Sequence, residues 1–288
     1  MYDERIYVLE KVLGYNIFPT ADEIFIYENK RFFSFWLNAT KIPHPETNVF
    51  YYHKEALDYI ETLKFPLVGK SNIGASGRGV KILKSKEEGK KYINAVFKGK
   101  GAPKSVGPNF KKGGLLKRGF RFILNPSDIR KKFKEYSDVA NDIQKGFVIL
   151  QNFIPHDFEW RAVRIGDSFF AHKKLKIGEK SSGSLEKNYD NPPLSLLDFT
   201  KEITDKYHFY SQAVDVFETE TGYLVNEMQC IFGQSDAYQM MVDGKVGRYR
   251  FLNNEWVFEE GAFNKNMSYN LRLEYLISKS KNEGIICS

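Results

Sequence analysis

The chain has 288 residues, with 43 Lys and Arg against 36 Asp and Glu, a formal charge of +7, and 42% apolar residues that include 24 Phe and 17 Tyr. That length and composition fit a globular protein of two domains or two lobes. Two cysteines, Cys230 and Cys287, exclude a disulfide framework and a CxxC metal clamp, no run approaches the roughly 18 apolar residues of a membrane span, and the charged start MYDERIYVLEKVLGYN lacks a signal-peptide core. A cytoplasmic protein with no membrane partner is expected. The lysines are spread along the chain, and the short clusters at Lys111 to Lys112 and Arg130 to Lys134 read as solvated faces, so nucleic acid is not expected as a partner either.

In chain order, EIFIYENKRFFSFWLNATK reads as a strand running into a helix whose apolar face carries Phe32, Phe33, Trp36 and Leu37. Pro43 and Pro45 end that helix and start an extended segment, Thr47 to Tyr52. His53 to Leu63 has helical spacing, a strand leads into Lys70, and Val80 to Leu83 leads away from a glycine-rich loop. Ser85 caps a helix from Lys86 to about Phe97. The stretch from Lys98 to Gly119 reads as a long loop, and Ser127 as the cap of a helix through Tyr136. FVILQNFIP makes a buried strand ending at Pro155. Two alternating strands, EWRAVRI and SFFAHKKLKI, turn at Gly166 and Asp167. After a polar loop, a helix from about Leu196 to Tyr210 precedes strands QAVDVFET and YLVNEMQ, joined at Thr221 and Gly222, and an aromatic hairpin turns at Asn253 and Asn254.

Three groups of residues point to chemistry. In FPLVGKSNIGASGRGV, from Phe65 to Val80, an apolar strand brings Lys70 beside Gly74, Gly77 and Gly79. Residues without Cβ atoms can turn successive N–H groups toward anionic oxygens, and Lys70 adds a full charge, so the segment suits a nucleotide triphosphate. An ordinary hairpin is the alternative. Asp215, Glu227 and Gln229 meet on one face if their strands pair, and three oxygen donors suit Mg²⁺. A half-exposed acidic hairpin is the alternative there. Finally, Arg161, Arg164, Lys173, Lys174 and Lys176 alternate with apolar residues on paired strands and supply the positive charge that a polyphosphate needs.

The order of lysine, glycine loop, basic strands and carboxylate hairpin resembles the ATP-grasp superfamily, from about Tyr27 to Ser235. Within it, the chain resembles ATP-dependent carboxylate–amine ligases of the ribosomal-protein glutamate ligase and glutathione synthetase type. The resemblance implies an α+β fold of two lobes with ATP held between two antiparallel sheets. It divides the chain into a reduced N-terminal segment (1–29), a small lobe with a glycine-rich lid (30–150), and a large lobe with Mg-binding strands and the aromatic hairpin (151–288). Through it, Lys30, Lys70 and the loop Gly74, Ala75, Ser76, Gly77, Arg78, Gly79 and Val80 are implied to bind ATP, with Gln151, Asn152, Phe153, Ile154 and Asp157 around the purine. Arg161, Lys174 and Lys180 are implied in catalysis, and Asp215, Glu227 and Gln229 in holding Mg²⁺ or Mn²⁺. Gln229 stands where most such ligases carry Asn.

The activity so implied is joining a small-molecule carboxylate to an amine through an acyl phosphate, in tailoring a cell-surface polysaccharide or a peptide. A kinase and a non-catalytic ATP-binding regulator are the alternatives. The short segment before Lys30 leaves room for a homo-oligomer or a partner protein that completes the N-terminal lobe.

Overall fold

The computed structural model describes residues 3–73, 79–100, 144–177, 180–181, 186–233 and 236–282. The chain separates into two units, Met1–Thr47 with Ile154–Ser288, and Asn48–Phe153. Both mix helices with sheets, an α+β architecture. None of the described helices is long and apolar enough to cross a membrane.

The first unit opens with helix α1 (Asp3–Tyr7). The segment read as a strand is helix α2 (Ala21–Glu28). Its β-branched and aromatic run IFIY suggested a strand, but Thr20 and Glu23 form a reciprocal capping box that fixes a helical start. Asn29 then caps helix α3 (Lys30–Thr40), accepting from Phe32 N at 3.0 Å. Phe33 and Leu37 are buried on this helix as expected, whereas Phe32 is 39% exposed.

Strands β1 (Thr47–Phe50), β2 (Leu67–Lys70), β3 (Val80–Leu83) and β4 (Val148–Asn152) make the second unit's sheet, in the order β1-β4-β2-β3. Strand β2 pairs antiparallel with both β3 and β4. Helices α4 (His53–Glu61) and α5 (Lys86–Ala95) cover one face through Ala56, Ile60, Tyr92 and Ile93, which pack with Leu67, Leu83, Val148 and Leu150. Ser85 caps α5 as its sequence predicts, accepting from Glu88 N. The helix expected from Ser127, and the expected loop beyond Lys100, lie outside the described residues.

Back in the first unit, β5 (Phe158–Ile165), β6 (Ser168–Ile177), β7 (Lys180–Ser181) and β8 (Lys187–Asn188) come first in the larger sheet. Helix α6 (Leu194–Lys206) follows, then β9 (Ser211–Thr219), β10 (Gly222–Gln229), β11 (Met241–Val242), β12 (Lys245–Leu252), β13 (Glu255–Glu260) and helix α7 (Tyr269–Asn282). The order is β10-β9-β5-β6-β12-β11, with β7 and β8 beside β6 and β13 beside β12. The hairpin turns fall where glycine and asparagine place them, with Gly166 at φ 56° and Asn253 and Asn254 at 51° and 66°.

One face of this sheet packs against α2, α3 and α6 through Ile26, Phe33, Leu37, Leu196, Leu197, Trp160, Val214, Val216, Val225 and Met228. Because α3 buries its apolar side in this core, residues 30–47 belong with the larger sheet. The sequence-based boundaries at 29/30 and 150/151 therefore differ from those of the compact units, 47/48 and 153/154.

Candidate functional site

The other face of the larger sheet carries charge, and strand register explains how. Arg161 on β5 lies opposite His172 on β6 and Asp215 on β9, Glu159 lies opposite Lys174, and Glu227 on β10 lies opposite Asp215. Side chains directly opposite share a face. Arg161 donates from Nε to Asp215 Oδ1 and from Nη2 to Oδ2, both at 2.8 Å, and from Nη2 to Gln229 Oε1 at 3.2 Å. Lys174 Nζ donates to Asp215 Oδ2 at 2.8 Å and to Glu159 Oε2 at 2.9 Å. Asn226 Nδ2 completes Glu159 through Oε1 at 3.1 Å.

A β-bulge makes this possible, because the β9–β10 register shifts between Val225 and Glu227. Val225 and Met228 both point into the core, so the two residues between them, Asn226 and Glu227, both serve the charged face. Lys30 arrives there as the first residue of α3, and its Nζ reaches Glu227 Oε1 at 3.3 Å.

Charges buried in this way must be paired or they neutralise. Burial favours the protonated form of Asp215, but Arg161 and then Lys174 outweigh it and hold the carboxyl far below the usual carboxylate range. Burial likewise opposes the charge on Lys174, yet Asp215 and Glu159 raise its pKa. Arg161 is raised against burial by the same Asp215. All three are therefore ionised at any physiological pH. His172 is driven the other way: burial, then Arg161 and Lys187, push its pKa down to about 3, leaving a neutral ring whose Nδ1 donates to the Gln239 carbonyl at 3.0 Å.

In the second unit, Lys70 ends β2 opposite Val80 and Ile149 and is largely buried. Gly69 beside it lies against Tyr92, whose ring a Cβ would meet at 2.6 Å. Ser71 N donates to Gly79 O at 2.7 Å and closes the base of the glycine loop. Gly79 has φ +82°, and a Cβ there would sit 1.7 Å from Ser71 Oγ, so both backbone angle and space demand glycine. Gln144 fastens the other side, accepting from Asn72 N at 2.7 Å and donating to Phe147 O at 2.9 Å.

The structure thus brings together Lys30, Arg161, Lys174, Asp215, Glu227 and Gln229 from the sequence-predicted set. Both oxygens of Asp215, expected as a metal ligand, accept hydrogen bonds from Arg161 and Lys174. The partly exposed Glu227 carboxylate and the Gln229 amide oxygen are likewise engaged, by Lys30 and Arg161, and are oxygen donors of the kind that Mg²⁺ takes alongside water and phosphate. No cage of three or more His, Cys, Asp or Glu occurs among the described residues.

Gln151 and Asn152 lie on β4 opposite Val68 and Leu67, and Phe153 follows them. Ile154 accepts from His156 Nδ1 through its carbonyl. Asp157 is exposed and contributes its backbone carbonyl to Lys176 N, with no bond from its carboxylate to the Arg161 cluster. Lys180 pairs through its backbone with Ile177, and Gly74, Ala75, Ser76, Gly77 and Arg78 lie outside the described residues. Sequence reading missed Glu159 and Asn226. The alternation of Glu159 with Arg161 was a usable signal for the first, while the bulge hid the second.

No protein-family model and no curated protein matches the sequence. Solved structures do match in shape. A RimK-domain ATP-grasp protein from Sphaerobacter thermophilus aligns over 81% of this chain and 71% of its own, with a TM-score of 0.50 and 18% identity. The D-alanine–D-alanine ligase from Bacillus anthracis aligns over 92% and 72%, with a TM-score of 0.51 and 14% identity. The chain has the ATP-grasp fold. An ADP complex of the N5-carboxyaminoimidazole ribonucleotide synthetase purK shares it over 81% of this chain, at a TM-score of 0.50 and 14% identity, and this chain spans 52% of that one. Within the ATP-grasp fold seen here, the charged sheet face belongs to the larger sheet and the glycine loop to the smaller.

Proposed function

We propose that this protein is an ATP- and Mg²⁺-dependent ligase that joins a carboxylate to an amine through an acyl phosphate. The observation that carries the reading is the buried set of cations, Arg161 and Lys174, pinned by Asp215 beside Glu227, Gln229 and Lys30. ATP-grasp relatives named as ligases and a synthetase support the reaction class. The wider setting, in polysaccharide or peptide tailoring, rests on the aromatic hairpin's resemblance alone.

When bound, ATP supplies the phosphoryl group and Mg²⁺ offsets phosphate charge. Glu227 and Gln229 would hold the ion, and Lys30 would be freed from Glu227 to meet phosphate oxygen. Lys30, Arg161 and Lys174 face Glu159, Asp215 and Glu227, so the cluster is balanced in charge. A polyphosphate therefore needs the divalent ion to arrive with it. A substrate carboxylate is ionised at neutral pH and needs no general base to attack phosphorus. Arg161 and Lys174 would orient it and stabilise the charge that develops, without reorganising, since Asp215 and Glu159 already fix them. Lys70 and the loop closed by Ser71 and Gly79 are the phosphate-binding element of the smaller sheet.

The test is a screen of carboxylate and amine pairs for ADP release with ATP and Mg²⁺. Release should require both substrates, vanish on chelation, and fall at least about 100-fold in Glu227→Gln or Lys70→Ala. ADP formed with one acceptor alone indicates a kinase, and ATP binding without turnover indicates a regulator. ATP affinity unchanged in Lys70→Ala would remove Lys70 from the site.

A further inference from the structure

Glu23 lies outside the charged cluster and is fully buried. Its Oε2 accepts from Thr20 N at 2.8 Å and Thr20 Oγ1 at 3.1 Å, while Oε1 accepts from Ser211 N at 3.2 Å and Gln212 Nε2 at 3.4 Å. One carboxylate thus ties the start of α2 to the start of β9. Gln212 is also fully buried, and its Oε1 has no hydrogen-bond partner among the described residues. A buried carbonyl without a donor is costly. Turning the amide by 180° exchanges Nε2 and Oε1 and aims the carbonyl oxygen at Glu23, where it gains a donor when Glu23 carries a proton.

Of the other groups around Glu23, Arg272 feels its charge but donates no hydrogen bond to it. Arg272 on α7 spends its guanidinium on Ser211 Oγ at 3.2 Å, Phe232 O at 3.0 Å and Met267 O at 3.5 Å. Ser211 Oγ donates to the Cys230 carbonyl at 3.0 Å, Tyr275 faces Glu23 from α7, and Glu10 caps the Ala21 N–H with a second carboxylate. Burial accordingly pushes the Glu23 carboxyl up to about 7, against the hydrogen bonds from Thr20, Ser211 and Gln212 that pull it down.

We propose that Glu23 and Gln212 form a proton-reading pair that fastens α2 to β9. When protonated, Glu23 donates to the turned Gln212 amide oxygen; when ionised, it accepts from Gln212 Nε2 and leaves Oε1 orphaned. Helix α2 runs through Asn29 into α3, whose first residue is Lys30, so the pair governs the docking of the segment that brings Lys30 to Glu227. The inference stands independently of the ligase reading.

The test uses the full chain and no ligand. With glutamate labelled at the carboxyl carbon, an NMR titration should show Glu23 with a midpoint near 7, identified by its loss in Glu23→Gln. Urea unfolding should show the folded-to-unfolded ratio of the wild type falling, relative to Glu23→Gln, by about 100-fold between pH 4.5 and 7.5, the window between ordinary and raised carboxyl values. The sign follows because the folded state holds the proton more tightly, so stability is present below the ordinary value and lost on rising through the raised one. A Glu23 midpoint at or below 4.5, or an unchanged pH slope in Glu23→Gln, overturns the proposal. If Glu23→Gln does not fold, the wild-type titration decides. A carboxyl with a midpoint near 7 must then move in Gln212→Leu, and its failure to move overturns the pairing.

Discussion

Both oxygens of Asp215 are engaged by Arg161 and Lys174, so removing its charge takes from buried Arg161 its carboxylate partner and leaves Lys174 with Glu159 alone. Breaking such a pair costs about 3–5 kcal/mol, whereas an exposed pair such as Lys54–Asp58 is worth less than about 1 kcal/mol. Asp215→Asn should therefore lower urea stability by an amount in the larger range, and Asp58→Asn should leave it nearly unchanged. Tryptophan fluorescence reads the first variant directly, since Trp36, Trp160 and Trp256 all belong to its unit. Equal effects of the two variants would show that the cluster is solvated. In the smaller sheet, Gly79 and Gly146 both have positive φ, but only Gly79 also lacks room for a Cβ. Gly146→Ala should cost about 1–2 kcal/mol of backbone strain. Gly79→Ala should cost more and speed amide exchange at Ser71 N, whose acceptor is the Gly79 carbonyl. Similar exchange in both variants would mean that the loop base yields easily.

At the level of elements, local signals decided most of the fold. Period-two alternation in EWRAVRI and SFFAHKKLKI, and the Gly166 turn between them, led to the observed hairpin. Helix α2 was misread because β-branched residues outweighed the Thr20 to Glu23 capping box, which was equally visible in the sequence. The bulge at Asn226 was not legible, because it exists only relative to the register of β9. It supports a deletion test. Without Asn226, Val225 and Glu227 become neighbours and strict alternation still sends Glu227 and Gln229 to the charged face, so register with β9 should persist. Glu159 loses a partner, and stability should fall by about 1–2 kcal/mol. A collapse of the fold on deletion, seen as loss of the cooperative urea transition, would show that the bulge also shapes the core.

Across the larger unit, stability against pH is set by opposing titrations. His172, lowered to about 3, adds stability above its ordinary value near 6.5, which is lost as pH falls toward 3. Glu23, raised to about 7, adds stability below its ordinary value that is lost as pH rises through 7. Between about pH 4.5 and 6.5 the two slopes cancel, and below that window His172 and then Asp215 both destabilise. The urea midpoint should therefore stay nearly level across the window in the wild type, rise with pH in Glu23→Gln, and fall in His172→Gln. A wild-type midpoint that moves as steeply as either variant's would rule out the cancellation.

The amino-acid sequence by itself determined the strands, most of the helix starts, the turns and the candidate residues of both sites, because alternation, capping and turn preferences act between near neighbours. Tertiary structure alone decided which charges meet. Asp215 lies 54 residues from Arg161 and 41 from Lys174, so neither spacing nor composition reveals that its oxygens are spent on those cations. The same holds for Glu23, an ordinary helix-capping acid in sequence, whose burial against Ser211 and Gln212 188 and 189 residues away makes its proton part of the fold. Burial raises the energy of an unpaired charge so far that the partner brought by the fold, and not the residue type, decides what a carboxylate does.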